Sequence, residues 1–144
     1  MRWIVALVAL LGLLAATAAL REHYRTEASP CSINEKWDCG IVNHSLYAIQ
    51  GPVPVADIGI AGYFLLGVLA LMRAWRTAFI AAVIGLAYSL YLTYIEAAKL
   101  QVWCIYCVIS LSMISLITIL TFVMALKSRK TSSGARSQQS EATS

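Results

Sequence analysis

The sequence predicts an all-α membrane protein: a four-transmembrane-helix bundle with a long extracytoplasmic loop between helices 1 and 2. Three observations carry that prediction. The chain is 60% hydrophobic and 12% charged over 144 residues, more apolar surface than a soluble domain of that size can bury. Its apolar residues fall into four long runs rather than into an amphipathic pattern. Its Lys and Arg residues sit between and beside those runs, where membrane proteins carry their topology signals. The net charge of +4 is spread over these positions and forms no basic patch, so no nucleic-acid partner is expected.

The first span is Trp3 to Leu20, uncharged and flanked by Arg2 and Arg21. At 1.5 Å per residue it reaches about 27 Å, close to the thickness of a hydrocarbon core. Ala16-Thr17-Ala18 also resembles a signal-peptidase site, so a cleaved leader is the competing reading of this segment. Either reading puts the following loop outside the membrane. Arg21 to about Asp57 is polar and punctuated by Pro30, Gly40, Gly51, Pro52 and Pro54. A loop of that length is commonly functional. A short amphipathic helix is expected over Asn43 to Gln50, ended by Gly51-Pro52-Val53-Pro54.

The second span is Ile58 to Met72, with a start as early as Val55 allowed, and Arg73 and Arg76 close it. The third is Thr77 to Ile95. Glu96 to Gln101 reads as a tight polar break. The fourth, Val102 to Leu126, would be about 37 Å long, so it tilts or projects its first turn into the interface. These spans make one domain over 1–126. The Ser/Thr/Gln/Lys-rich tail, 127–144, is expected to be a disordered cytoplasmic segment.

Orientation follows from the 11 Lys and Arg residues. Arg2, Arg73, Arg76, Lys127, Arg129, Lys130 and Arg136 fall on one side, and Arg21, Arg25, Lys36 and Lys99 on the other. Seven against four places both termini in the cytoplasm. All four cysteines then lie on the outer side, which permits disulfides.

Cys104 and Cys107 form a C-x-x-C at the start of the fourth span. Residues three apart share a helix face, so the two sulfurs can pair. The unpaired N–H groups and macrodipole of a helix start favour a thiolate, the species that attacks a disulfide or a quinone carbon. Zinc is the competing reading. It would want a second Cys/His pair at matching spacing, whereas Cys31 and Cys39 are eight apart and no histidine accompanies Cys104. No metal is therefore expected. Taken alone, Cys31 and Cys39 read as a disulfide stapling a loop. With a C-x-x-C on the same membrane face they also read as a mobile pair able to exchange with Cys104. Lys36 would favour a nearby thiolate, and Asp38 would oppose one at Cys39. Four cysteines allow three pairings.

Trp103 and Tyr106 flank Cys104, and Tyr88, Tyr91 and Tyr94 recur every third residue toward the outer end of span three. They form either an interfacial belt or the wall of a pocket for a flat aromatic ligand near Cys107. His44 reads as a loop polar residue and Asp57 as a solvated helix-start carboxylate.

Cys31-x7-Cys39, Ser45, Gly51-x-x-Pro54, Gly59-x-x-Gly62-Tyr63 and Cys104-x-x-Cys107, in that order and at those membrane positions, resemble the vitamin K epoxide reductase family. The match covers roughly Met1 to Leu126 and is most similar to the prokaryotic branch, which works like the DsbB-type disulfide-forming proteins. The resemblance implies four transmembrane helices around a quinone of the ubiquinone, menaquinone or vitamin K type. It implies that Cys107 is the nucleophile facing the quinone and Cys104 its partner. Cys39 would attack Cys104, and Cys31 would exchange with an external protein. Ser45 matches the family's loop serine near the quinone, and Tyr63, Tyr106 and Tyr91 are expected beside it in the quinone pocket. The helix after Cys39 would cover the site as a lid. Leu111 stands where the vertebrate enzymes carry a tyrosine, and Ile58 falls near their quinone-binding asparagine, so a respiratory quinone is expected rather than vitamin K epoxide. A fused thioredoxin domain is not expected, and the expected partner is a separate periplasmic thioredoxin-fold (DsbA-like) protein. The expected place is the bacterial inner membrane. Two alternatives stand beside this: reduction of vitamin K quinone or epoxide as the main activity, and a non-enzymatic scaffold with structural disulfides.

Overall fold

The computed structural model describes residues 1–26, 33–46, 49–50 and 52–143. The elements run α1 (Arg2–His23), α2 (Cys39–Asn43), β1 (Ile49–Gln50), β2 (Val53–Pro54), α3 (Val55–Leu71), α4 (Trp75–Ile95), a π-helical turn (Glu96–Leu100) and α5 (Ile105–Thr143). Among the described residues, three helical segments are long and apolar enough to cross a membrane: α1, α4 with its π turn, and α5. The 17-residue α3 is a shorter apolar helix.

The four apolar runs all become helix, with shifted ends. Helix α1 continues past Leu20 to His23. That carries Glu22 into a buried position, where it pairs with Arg25 at 3.3 Å. Helix α3 starts at Val55, directly after Pro54, whose φ of −61° and ψ of 142° form the N-cap. Its far end is a Schellman closure: Ala74 N donates to Leu69 O and Arg73 N to Ala70 O, with Arg73 in the left-handed region at φ 59°. This leaves Met72 to Ala74 as the whole connection to α4.

Two expectations for the rest of the chain differ from what is observed. The short helix after the second loop cysteine is α2, over Cys39–Asn43, not a helix over Asn43 to Gln50. Asp38 fixes its start, because its carboxylate accepts from Gly40 N at 2.8 Å and Ile41 N at 3.2 Å. Ile49–Gln50 is instead a strand paired antiparallel with Val53–Pro54, Gln50 opposite Val53; residues 47, 48 and 51 lie outside the described residues. The tail, expected to be disordered, continues α5 as an exposed helix through Thr143. Past Lys127 it holds no proline and a single glycine, Gly134, and its eight Ser and Thr residues, weaker helix formers, lie among Lys, Arg, Ala, Gln and Glu, which are good ones.

Helix α1 packs on α3 and α5, and α4 packs on α5 and α3. The core joins Val5, Val8, Ala9 and Ala16 of α1 to Tyr63, Leu66 and Ala70 of α3, Ala82 of α4, and Ile114 and Ile117 of α5. Small residues let the helices approach closely, which drives association where lipid removes the hydrophobic difference between inside and outside. Large apolar side chains such as Leu7, Leu10, Leu14, Phe64 and Ile80 face outward, as a lipid-exposed surface requires.

One contact ties three helices together. The Tyr63 ring of α3 lies in the notch left by Gly12 of α1, where an added Cβ would land on the ring. Its hydroxyl donates to Ser110 O of α5 at 2.7 Å and accepts from Ser110 Oγ at 2.8 Å. Gly12→Ala must therefore move the ring and break this pair. The expected loss is about 1–3 kcal/mol, typical of overpacking, read as a lower unfolding midpoint in detergent. An unchanged midpoint would mean that Tyr63 moves aside without cost.

Candidate functional site

The site is built at one end of the bundle, where the loop after α1 meets the start of α5. The loop makes a local turn first. Asn34 Oδ1 accepts from Lys36 N at 2.9 Å and from Trp37 N at 3.1 Å, and Ile33 N donates to Trp37 O at 3.0 Å. This turn is clipped to the segment before α5: Trp103 N donates to Lys36 O at 2.7 Å, and Asp38 N donates to Trp103 O at 3.1 Å. The result is a parallel bridge between Trp37 and Trp103. Each bridged tryptophan lies close before a cysteine, Trp37 two residues before Cys39 and Trp103 next to Cys104. The clip therefore brings the two cysteines together. Cys39 and Cys104, both fully buried, share one cluster with Val42 and Val102, with Tyr106 and Cys107 packed against it.

Cys39 is disulfide-bonded, while Cys104 and Cys107 are reduced thiols. Cys31 lies outside the described residues. Cys104 stands at the threshold of α5, its carbonyl accepting the first helical hydrogen bond from Val108 N at 3.1 Å. Cys107 sits in the first helical turn. The Cys107 side chain hydrogen-bonds the Cys104 sulfur, and this holds the Cys104 thiol below the ordinary thiol range despite its burial and the nearby Glu96 carboxyl, which both push it up. Cys104 thus forms a thiolate more readily than an ordinary cysteine, and it does so beside the bonded Cys39.

Glu96 completes this arrangement; by sequence it reads only as part of a polar break. It is 3% exposed, its Oε2 accepts from Cys104 N at 3.3 Å, and the Cys107 thiol hydrogen-bonds its carboxyl. The π turn and Gln101 fold the chain back so that residue 104 reaches residue 96. Gln101, at φ 53°, adopts the left-handed conformation that reverses direction there. The signal available in sequence was a carboxylate at the end of an apolar run, eight residues before a C-x-x-C.

Cys107 opens onto a cavity of about 670 Å³ between α1, α3, α4 and α5. Its volume is that of a small-molecule site, and its walls are mainly apolar. Of the residues expected at a quinone pocket, Ser45, Tyr63 and Tyr106 line it. Tyr91 does not: it is 54% exposed and turned outward. Every third residue on an α-helix falls back about 60° around the axis. The Tyr88–Tyr91–Tyr94 series therefore leaves the cavity face after its first member.

Four of the lining hydroxyls already donate within the protein, among them Thr93 Oγ1 to Ser89 O at 2.9 Å and Ser110 Oγ to Tyr63 Oη at 2.8 Å. Ser45 Oγ donates to Val42 O at 2.7 Å, and Tyr63 donates to Ser110 O. Tyr88 Oη differs, being buried at the cavity wall with no hydrogen-bond partner among the described residues. A buried unsatisfied hydroxyl costs about 1–3 kcal/mol. A ligand carbonyl in the cavity would satisfy it, so the residues present fit a quinone. At the loop end, His23, which lines the cavity, stacks on His44 at 5.9 Å. Among the described residues no three His, Cys, Asp or Glu side chains converge as a metal site would need.

The family model for the vitamin K epoxide reductase family matches residues 3–122. Compared one by one with curated proteins, the chain finds no match. The matched stretch takes in α1 to the membrane part of α5, the clipped loop and the C-x-x-C. A membrane-spanning helical protein whose paired thiols open onto an apolar cavity, matched over that length, belongs to the vitamin K epoxide reductase family and is an integral membrane oxidoreductase.

Proposed function

We propose that the protein is a quinone-coupled thiol–disulfide oxidoreductase. It reoxidises a separate periplasmic thioredoxin-fold protein and passes the electrons to a membrane quinone. The observation that carries this reading is the joint burial of Cys39 and Cys104 in one cluster, with Cys107 between that cluster and the cavity. Electrons enter through Cys31, outside the described residues, and reduce its disulfide with Cys39. The Cys39 thiolate then attacks Cys104 of an oxidised C-x-x-C, forming a Cys39–Cys104 mixed disulfide and releasing the Cys107 thiolate; Cys31, reduced by the donor, closes back onto Cys39 and leaves Cys104 and Cys107 both reduced. The dithiol gives two electrons to the quinone, which supplies the electron-accepting chemistry when bound. Cys107 would present its sulfur to a quinone held in the cavity, and Tyr88 Oη would be available to donate to it. Tyr63, its hydroxyl spent on Ser110, holds the wall in shape.

In this reading α3 is a fourth crossing. Its 17 residues span about 25 Å. The arginines after α3 and the basic residues of α5 beyond Leu126 support the reading that both termini are cytoplasmic, with the cysteines outside, in a bacterial inner membrane.

The test uses the full chain in detergent, a reduced thioredoxin-fold protein as donor and a short-chain ubiquinone or menaquinone as acceptor. Quinone absorbance is followed against donor thiol titre. One quinone should be reduced per donor disulfide formed. No quinone reduction with either acceptor would overturn the reading. Reduction of vitamin K epoxide in preference to both quinones would overturn the assigned direction in favour of epoxide reduction.

A further inference from the structure

We infer that Glu96 is a catalytic carboxylate of the dithiol site, taking the proton of the Cys107 thiol as the pair is oxidised and passing it toward the cavity. The inference rests on the dithiol reading above. Its geometry is independent of which quinone or partner is used.

Four observations converge on Glu96. It is buried in an apolar end of the bundle, where an ionisable side chain is expensive and commonly functional. Both groups that donate to it belong to the C-x-x-C: the Cys104 backbone N–H at 3.3 Å and the Cys107 thiol. An acceptor of two hydrogens is what a carboxylate can be. Glu96 also lines the cavity that Cys107 opens onto, so it touches the thiol on one side and the ligand space on the other. The chain takes a rare conformation to put it there. Glu96 is the first residue of the π turn, and single π turns are concentrated at functional sites.

The step balances with a quinone as two-electron acceptor. Two S–H bonds break and one S–S bond forms between Cys104 and Cys107. The quinone gains two electrons and two protons and becomes the hydroquinone. The Cys107 proton leaves to Glu96 and from there to a quinone oxygen in the cavity. The second proton originates on Cys104. At the end Glu96 is a carboxylate again, ready for the next pair. The titratable groups facing it are Cys104 before α5 and Cys107 and Tyr106 on α5; across the cavity stand Tyr88 of α4, Tyr63 of α3 and His23 of α1.

A structural role predicts something different: Glu96 would only hold the Cys104 N–H. Glu96→Gln separates the two, because glutamine still accepts from that N–H but takes no proton at neutral pH. In the full chain in detergent, Glu96→Gln should keep the wild-type unfolding midpoint and lose about a hundredfold in quinone reduction. Glu96→Asp should recover part of that loss.

A second readout uses no quinone: the rate of alkylation of the reduced pair against pH. Removing the negative charge makes the thiolate easier to form, so the Glu96→Gln profile should move down by about one pH unit. Thiols that ionise more readily and yet turn over more slowly are the signature of a lost proton acceptor. Glu96→Gln turnover within about twofold of wild type, or superimposable alkylation profiles, would overturn the inference. If the variant fails to fold, infrared difference spectra of the wild-type protein on dithiol oxidation decide instead. A changing carboxyl C=O band supports the inference, and its absence overturns it. A wild-type protein that reduces no quinone would sink the reading in the previous subsection, while the alkylation comparison would still show whether Glu96 and the thiols share a proton.

Discussion

Cys107→Ala should reduce quinone turnover by about three orders of magnitude, to the uncatalysed background. Removing a reacting nucleophile costs on that scale, and losses within one catalytic unit do not add. Cys104→Ala and the double variant should therefore be about as inactive as Cys107→Ala alone. The side chain is small and sits in the first turn of α5 at a cavity wall, so the fold should survive. Unchanged helicity and unfolding midpoint would separate a chemical loss from a structural one. Turnover that survives Cys107→Ala would remove the C-x-x-C from the path of the electrons.

The second large effect belongs to Cys39→Ser. With a reduced thioredoxin-fold protein as donor, turnover should fall by about a hundredfold or more, because the loop no longer hands electrons to Cys104. With a small dithiol that reaches the C-x-x-C directly, turnover should stay within about threefold of wild type. The split between donors is the informative result, since a merely destabilised protein loses both. Equal loss with both donors would mean that Cys39 supports the site rather than relays. No loss with either would place electron entry at Cys104 itself.

Much of this arrangement is legible in the sequence because it rests on local chemistry and on long patterns. Four uninterrupted apolar runs become four helices, since nothing else satisfies a backbone in lipid. The position of the C-x-x-C at a helix start follows from the end of a polar break. What escapes is long-range or one residue wide. Asp38 moves the loop helix forward to Cys39 by capping it. The run Asn43 to Gln50, amphipathic on paper, gives up its end to a strand pair closed by Pro54. Tyr91 fits a ring-stacking ladder by spacing, yet rotation about the helix axis carries it away from the cavity. Tyr88 stays on the cavity face with its hydroxyl unspent. Glu96 is the largest omission. Only the π turn and the left-handed Gln101 bring it onto Cys104, and no periodic pattern encodes either feature.

The clip between Trp37 and Trp103 has a kinetic consequence. Two backbone hydrogen bonds, at 2.7 and 3.1 Å, keep the loop cysteine next to its acceptor without any encounter in solution. On the proposed relay, the inner exchange is a first-order event with a high effective molarity, whereas the outer exchange with the proposed partner is second-order. Raising the donor concentration should accelerate turnover only until the inner steps dominate. Above that plateau the rate becomes a property of this chain and its quinone alone. A cell could then vary the supply of folding substrates widely without altering how fast each delivered electron pair crosses from loop to membrane.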